Sequence, residues 1–489
     1  MTSVRRALAL SFIERYLSIV LALGSNMVLA RLLTPEQIGI YSVTLAVIGV
    51  AHVLRDFGIG NYLIQESQLT DDHIRTAFGL SLMLGGTLAA FVYAAAPWVA
   101  AFYNAPSMRP LVQVVALNFL ALPFCTISMA LLRREMRFKH LLYVNLTAMV
   151  LGTATSLSLA FSGMGPMSLA IGAVVGNVAT GVGAWLARGA QVPLRPSLKH
   201  WRGIGSFGGK ASLIGITGTL SMDANDLIMG KLLGFGPVAL VSRAQGLMYL
   251  FQRDAMSAIR GVMQPAFAQE HRAGVNPEAT FVRGVVMVSA VAWPFFGFIG
   301  IFALETLRLL FGPQWDTAAP LVPWFCAAGA VAAFNSLVPT LLMARGNINE
   351  LVALHLIIDP ARVVCFGLSM WLRPELDTVA VVFLLFYVAS VPVSFWLKNK
   401  VQPTDHRALA RAIWPSAKAA LPPVLVAALF AVWARSGGTA VAWPAFIGFM
   451  PVYGLVWAMG LAWARHPLLD EPVVQKILRR LHLSSRAAP

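Results

Sequence analysis

The sequence predicts an all-α polytopic membrane protein of about 14 transmembrane helices. They read as two six-helix lobes related by a pseudo-two-fold axis along the membrane normal, followed by two C-terminal helices. Three observations predict this. First, 58% of the 489 residues are hydrophobic and only 12% are charged, with a mean hydropathy of +0.71, whereas a soluble domain carries about 25% charged residues. Second, apolar stretches of bilayer-spanning length, about 20 residues each, recur along the whole chain. Third, one junction occurs twice. Arg31-Leu-Leu-Thr-Pro-Glu-Gln-Ile-Gly-Ile-Tyr-Ser42 returns 200 residues later as Lys231-Leu-Leu-Gly-Phe-Gly-Pro-Val-Ala-Leu-Val-Ser242. Each copy is followed by an Arg-Asp pair, Arg55-Asp56 and Arg253-Asp254. Two similar halves are the signature of an internally repeated membrane protein.

In chain order the apolar stretches cover 8–32, 37–63, 76–102, 110–132, 140–162, 166–187, 207–233, 237–260, 281–311, 317–343, 350–372, 377–397, 413–434 and 440–463. The first opens like a secretion signal, with Arg5 and Arg6 before an apolar run. Glu14 and Arg15 interrupt that run and the pattern continues to Leu33, so it reads as an uncleaved span. Short turns close one side of the bundle: Thr34-Pro35, Asn104-Ala-Pro106, Gly163-Met-Gly-Pro166, Gly234-Phe-Gly-Pro237, Gly312-Pro313 and Ser436-Gly-Gly438. The opposite connections are basic. They hold Arg133, Arg134, Arg137, Lys139, Arg188, Arg195, Lys199, Arg202, Arg260, Arg272, Arg345, Lys398, Lys400, Arg407 and Arg411. This asymmetry places both termini in the cytoplasm. It also accounts for the net charge of +16 without nucleic acid.

The repeat assigns residues 1–187 to an N-terminal lobe, 188–206 to a cytoplasmic linker and 207–398 to a C-terminal lobe. Both halves start on the same side, so the repeat is parallel. Residues 413–464 supply two further spans. In 465–489, Leu469, Val473, Val474, Ile477, Leu478 and Leu481 recur at helical spacing beside Lys476, Arg479 and Arg480, a basic amphipathic tail. Cys125, Cys326 and Cys365 lie in apolar runs and read as small buried thiols, with no disulfide framework and no metal spacing. There is no nucleotide-binding glycine loop and no outer loop long enough for an enzyme domain.

A charge at mid-span costs about 2.5–3.5 kcal/mol on insertion scales and usually faces the bundle interior. Glu14, Arg15, Arg55, Asp56, Asp223, Asp226, Arg243, Arg253, Asp254, Asp359 and Arg362 all fall in apolar stretches. Asp223 and Asp226 are three apart and share one helix face. Such a pair, with Glu14, could couple transport to Na⁺ or H⁺; pairing with a nearby Arg or Lys is the competing reading. Asp359 and Arg362 form an intramembrane pair by the same spacing, with Pro360 marking a kink.

The first junction, with Leu54-Arg-Asp-Phe-Gly58 and Leu63-Ile-Gln65, resembles the opening of the polysaccharide transporter family. These are Wzx-type lipid-linked oligosaccharide flippases of the multidrug/oligosaccharidyl-lipid/polysaccharide exporter superfamily. Leu132-Arg-Arg-Glu-Met-Arg-Phe138, Ser242-Arg-Ala244 and Leu310-Phe-Gly-Pro-Gln-Trp315 extend the resemblance to about the eleventh span. It implies a transporter, not an enzyme, that carries undecaprenyl-pyrophosphate-linked oligosaccharide repeat units across the inner membrane by alternating access, for exopolysaccharide or O-antigen (lipopolysaccharide) synthesis. It needs no cofactor or metal. Membrane lipid, a polymerase and a chain-length regulator are the implied partners. A pyrophosphate suits the permanently charged, forked guanidinium, so Arg15, Arg55, Arg243 and Arg253 are the headgroup candidates. The Arg-Asp pairs could instead tie helix ends. In related lipid II flippases an arginine lines the cavity from the eighth helix; that position falls at Gly246 here, one turn after Arg243. A cation-coupled multidrug exporter of the same superfamily is the competing function, and a membrane polymerase or glycosyltransferase stands behind it.

Overall fold

The computed structural model describes residues 2–471, except 57, 189–194, 200, 437 and 439, together with 474–475. The side chains of 2–13, 15, 56, 122, 206–215, 217, 254 and 258 also fall outside the description. The chain is all-helical, with no strand among the described residues. Among the described residues, ten helices are long and apolar enough to cross a membrane, or eleven if one bent pair is a single span. Contacts divide the chain into two compact units, Met1–Ala239 and Leu240–Pro489.

The first unit runs α1 (Thr2–Leu32), α2 (Pro35–Asp56), α3 (Ile59–Gln65), α4 (Asp71–Phe102), α5 (Met108–Ala116), α6 (Asn118–Arg134), α7 (Phe138–Phe161), α8 (Pro166–Ala187) and α9 (Trp201–Leu232). The Thr34-Pro-Glu-Gln37 turn starts α2 as a capping box. The Thr34 amide donates to Gln37 Oε1 at 3.0 Å and the Gln37 amide to Thr34 Oγ1 at 3.3 Å, while Pro35 fills the first helical position. The stretch read as 37–63 is interrupted: Gly58 takes φ 60°, a left-handed conformation that glycine adopts without steric cost, and separates α2 from α3. The stretch read as 110–132 bends by 44° around Pro123. Arg134 closes α3: its Nη1 donates to the carbonyls of Leu63 at 2.8 Å, Ile64 at 3.2 Å and Glu66 at 2.5 Å.

Lipid tails are as apolar as leucine, so spans associate through close approach of small residues. The α7–α8 pair shows this. Ala148, Gly152, Ser156 and Ala160, four apart, are buried on α7. They meet the matching α8 stripe of Ser168, Gly172, Gly176 and Ala184. A Cβ at Gly172 would lie 1.8 Å from Ser156 Oγ, and one at Gly152 2.9 Å from the Gly172 carbonyl.

Within the same unit the two copies of the repeated junction pack on each other, α2 against α9. Glu36 Oε2 accepts the Gly236 amide at 2.7 Å, so counterpart positions of the repeat touch. A Cβ on Gly39 would lie 1.8 Å from the Phe235 carbonyl, so only glycine lets the backbones meet. Lys231 Nζ sits 4.6 Å over the Phe102 ring and donates to the Phe102 carbonyl. Tyr103 Oη donates to the Leu227 carbonyl at 3.3 Å.

Next come α10 (Phe235–Tyr249), a π-turn (Leu250–Ala255), α11 (Met256–Arg272), α12 (Glu278–Ile301), α13 (Ala303–Leu310) and a 3₁₀ turn (Pro313–Leu321). They are followed by α14 (Val322–Asn335), α15 (Val338–Ala344), α16 (Ile348–Leu372), α17 (Leu376–Val401), α18 (His406–Ala434) and α19 (Trp443–Trp463). All but the first residues of α10 belong to the second unit. Here the sequence reading needs two corrections. Arg260 lies inside α11, not in a basic connection, because the helix carries Pro265 within it and continues to Arg272. Cys365 is exposed, unlike buried Cys125 and Cys326, because an apolar span turns one face to lipid. The amphipathic tail beyond Gln475 lies outside the described residues.

Buried polar clusters pin the helix ends of this unit. Glu305 accepts from Arg435 at 3.2 and 2.8 Å and from the Val441 amide at 2.8 Å. Buried Lys398 donates to Glu278 at 2.7 Å and to the Gln402 carbonyl at 3.1 Å. Past α19, His466 Nδ1 accepts the Leu468 amide at 3.0 Å while Nε2 meets Ser416 Oγ at 2.9 Å. An Nδ1 that accepts is unprotonated, so the ring is neutral, and burial holds its pKa below the ordinary histidine value.

Two outcomes follow from this packing. Gly172→Leu should overpack the α7–α8 contact and lower stability by about 1–3 kcal/mol, whereas Gly176→Ala, whose Cβ would lie 3.5 Å from the Ala148 carbonyl, should stay near wild type. Thermal unfolding in detergent separates the two. The neutral-ring contribution of His466 is present above about pH 6.5 and is lost as pH falls below it toward the lowered folded value. Thermal stability should therefore drop on acidification, and His466→Gln should remove part of that drop.

Candidate functional site

The second unit contains a polar cavity of about 320 Å³. α10 supplies Tyr249, the π-turn Gln252 and α11 Arg260. Asn335 ends α14; Ser336 follows it; α16 brings His355, Asp359 and Arg362 from one face; and α17 brings Tyr387, Ser390 and Ser394. The α16 residues share a face because they stand at helical spacings of four and three. His355 Nδ1 lies 3.1 Å from Asp359 Oδ2. Asn335 Nδ2 donates to Ser394 Oγ at 2.7 Å, which in turn donates to the Ser390 carbonyl at 2.9 Å. Gln252 Nε2 donates to the Gly329 carbonyl at 3.0 Å. Asn335 Oδ1 is buried with no partner among the described residues. The cavity thus carries two guanidiniums against one carboxylate, with hydroxyls and amides around them. Such a wall can hold an anionic group and hydrogen-bond a polyhydroxy ligand beside it.

The expected pair Asp359 and Arg362 therefore shares a cavity, and His355 is one partner of Asp359. Sequence reading missed Arg260, His355, Gln252, Asn335 and Tyr387. The spacing of His355 to Asp359 was an available signal; the convergence of five separate helices was not.

Arg243 on α10 lies against two aromatic rings, its Cζ 4.9 Å from the Phe311 centroid and 5.0 Å from that of Trp315. Trp315 is fully buried. Two motifs far apart in sequence, Ser242-Arg-Ala244 and Leu310-Phe-Gly-Pro-Gln-Trp315, meet in this contact. The rings fix the cation and leave the guanidinium edge as a donor. Beside it Arg308 forks onto Asp316, with Nε at 2.9 and 3.1 Å and Nη2 at 2.5 Å.

Both Arg-Asp pairs stand at the irregularity of their helix. Arg55 ends α2 just before the Gly58 break and is partly buried. Arg253 lies in the π-turn and is exposed. The Asp56, Asp254 and Arg15 side chains fall outside the description.

In the first unit, Asp223 and Asp226 share a face of α9 and form no ion pair with a described residue. A Cβ at Gly49 of α2 would sit 2.1 Å from Asp223 Oδ2, so the carboxylate rests against bare backbone. Glu14 Oε1 accepts from Asn145 Nδ2 at 2.5 Å, linking α1 to α7.

A family model described as polysaccharide biosynthesis protein matches residues 28–320. The lipopolysaccharide biosynthesis protein WzxC of Escherichia coli K12 is 25% identical over 342 residues, 69% of either chain. The teichuronic acid biosynthesis protein TuaB of Bacillus subtilis 168 is 21% identical over 356 residues, 71% of this chain and 72% of its own. Among solved structures, the fold is similar to that of the lipid II flippase MurJ in an inward closed conformation. The TM-score is 0.75 over 94% of this chain and 99% of that one, at 11% identity. An inward-facing multidrug resistance MATE family transporter matches with a TM-score of 0.62 over 81% of this chain and 96% of its own, at 15% identity. At these identities the solved structures speak for the fold alone.

Arg243→Leu and Trp315→Leu should each lower thermal stability in detergent, and the double variant should lose less than the sum. A double-mutant cycle on unfolding should give a coupling of about 0.5–2 kcal/mol; a coupling near zero would leave the rings as packing only.

Proposed function

The chain belongs to the polysaccharide biosynthesis protein family, and on that premise we propose that it is a flippase. It carries undecaprenyl-pyrophosphate-linked oligosaccharide repeat units across the bacterial inner membrane. The observation that carries this reading is the cavity of the second unit. It sets Arg260 and Arg362 against the one carboxylate of Asp359, with hydroxyls and amides around them, in a chain otherwise suited to lipid. Guanidiniums suit a diphosphate, and the neutral groups suit sugar hydroxyls. A drug site for organic cations has no use for two guanidiniums.

In this proposal about 14 spans form two six-helix lobes with both termini in the cytoplasm. The lobes alternate between inward- and outward-open states. Arg15, Arg55, Arg243 and Arg253 supply further headgroup contacts. Asp223 and Asp226, unpaired by any described cation, bind the coupling Na⁺ or H⁺. The Glu36–Gly236 contact of the junctions closes one face and must part in each cycle. A polymerase and chain-length regulator consume the product. A ligand can shift the two states only as far as its affinities for them differ.

The test is a deletion strain complemented at normal protein level, with surface polymer and the sidedness of lipid-linked repeat units as readouts. Arg260→Ala and Arg362→Ala should each reduce polymer about tenfold or more, since a charged hydrogen bond is worth ~1.5–3 kcal/mol. Repeat units should accumulate on the cytoplasmic face. Bridging Glu36→Cys to Gly236→Cys with a short bis-methanethiosulfonate reagent, the native cysteines replaced, should stop export, and reduction with dithiothreitol should restore it. Repeat units reaching the outer face without polymer would point to a polymerase, and intact polymer in the deletion strain would point to drug export.

A further inference from the structure

We propose that a groove between α7 and α8 binds one anionic phospholipid of the surrounding bilayer, with an acyl chain along the groove and the phosphate at Lys139 and His140. The proposal needs only that the chain sits in a membrane and is independent of the transported substrate.

The groove is a cavity of about 500 Å³ walled by His140, Tyr143, Thr147 and Leu151 of α7 and Val182 and Gly183 of α8. It lies on the outer side of the α7–α8 pair, where Tyr143 is 57% exposed and Val182 52% exposed. The small-residue stripe that draws the two helices together also leaves this outer seam shallowly filled. A Cβ at Gly183 would meet Val144 in ordinary contact at 3.5 Å and nothing closer, so the floor admits a side chain there without a clash.

Its length matches one leaflet. From His140 to Leu151 the helix rises about 16 Å, half of the ~30 Å hydrocarbon core. α8 runs back alongside, so Ala187 lies at the His140 end and Ala179 at the Leu151 end. A phospholipid chain fits that depth, whereas a polyprenyl chain is too long for it.

The His140 end is basic. Lys139 is exposed, with its Nζ 5.8 Å from the Tyr143 ring centroid. Arg133 is exposed nearby on the same connection. The local carboxylate, Glu135, is engaged by Arg188 at 2.7 Å and Arg137 at 3.7 Å, and neither Lys139 nor Arg133 pairs with a described carboxylate. His140 Nδ1 is buried without a hydrogen-bond partner. A tyrosine at the mouth is the usual interfacial residue. Cation, imidazole and ring therefore stand where a lipid phosphate sits, at the top of a chain-sized slot.

The full-length protein, stripped of lipid in nonionic detergent, would be titrated with dioleoyl phosphatidylglycerol, dioleoyl phosphatidylethanolamine or undecaprenyl phosphate, and bound lipids counted by native mass spectrometry. One phosphatidylglycerol should be retained in preference to phosphatidylethanolamine. Lys139→Gln with His140→Gln should cut that preference about fivefold or more while leaving the neutral lipid bound. Gly183→Leu should expel both, with unchanged thermal stability as the folding control. Equal retention of the two phospholipids by wild type, or a preference untouched by the Lys139/His140 variant, would overturn the proposal. Displacement of phosphatidylglycerol by equimolar undecaprenyl phosphate would also overturn it and give the groove to the transported lipid.

Discussion

Between spans there is no water to expel, so an apolar side chain gains little by leaving lipid for a neighbouring helix. What remains is close approach of backbones and polar contacts that water cannot rival. The first unit is built on this constraint. Gly172 faces Ser156 across α7–α8, Gly39 admits the Phe235 carbonyl, and Gly49 admits the Asp223 carboxylate. Each contact requires the absence of a side chain. The α9 carboxylates and the repeated junction therefore owe their positions to glycines in α2.

The second unit also uses close approach, since a Cβ at Gly460 would lie 2.6 Å from the Ala419 carbonyl, and it adds buried polar ties. Its ends are tied by ionic and backbone hydrogen bonds around Glu305, Lys398 and His466, and its interior is left with a polar cavity. A cavity of this sort costs stability, because Arg260, Arg362 and Asp359 would each be better hydrated in water. Rigid ends allow the middle to carry that cost. The Arg243 contact follows the same logic: a cation is immobilised by rings, whose faces attract it without neutralising it.

Much of this was legible in the chain. Composition dictates lipid as solvent, and apolar stretches fall on helices because length and hydropathy decide spans. The Thr34-Pro-Glu-Gln37 cap was readable as a turn, and the repeat pointed to Glu36 and Gly236 as counterparts, though not that they touch. Helix irregularities were harder. Gly58 breaks a continuous apolar run through a single left-handed residue, which hydropathy does not register. The stretch read as 237–260 stops at Arg260, yet α11 absorbs Pro265 and runs on to Arg272. The charged candidates were visible because charge is rare in spans, and His355 could have been found from its four-residue spacing to Asp359; Gln252, Asn335 and Tyr387 could not, since neutral polar residues at mid-span carry no such warning. The four-residue stripes of Ala148–Ala160 and Ser168–Ala184 were fully present in the sequence, but small residues hardly move a hydropathy profile.

The π-turn at Leu250–Ala255 holds one residue more than a regular α-turn. Everything after it is out of phase by one position, about 100° around the axis. Arg260 meets the α16 and α17 side chains only because of that phase. In a strictly regular helix the position now taken by Arg260 would pass to its neighbour Ile259, and the cavity would receive an aliphatic side chain in place of a guanidinium. A single-residue insertion, with no change in the residues themselves, is enough to turn an apolar seam into a charged one.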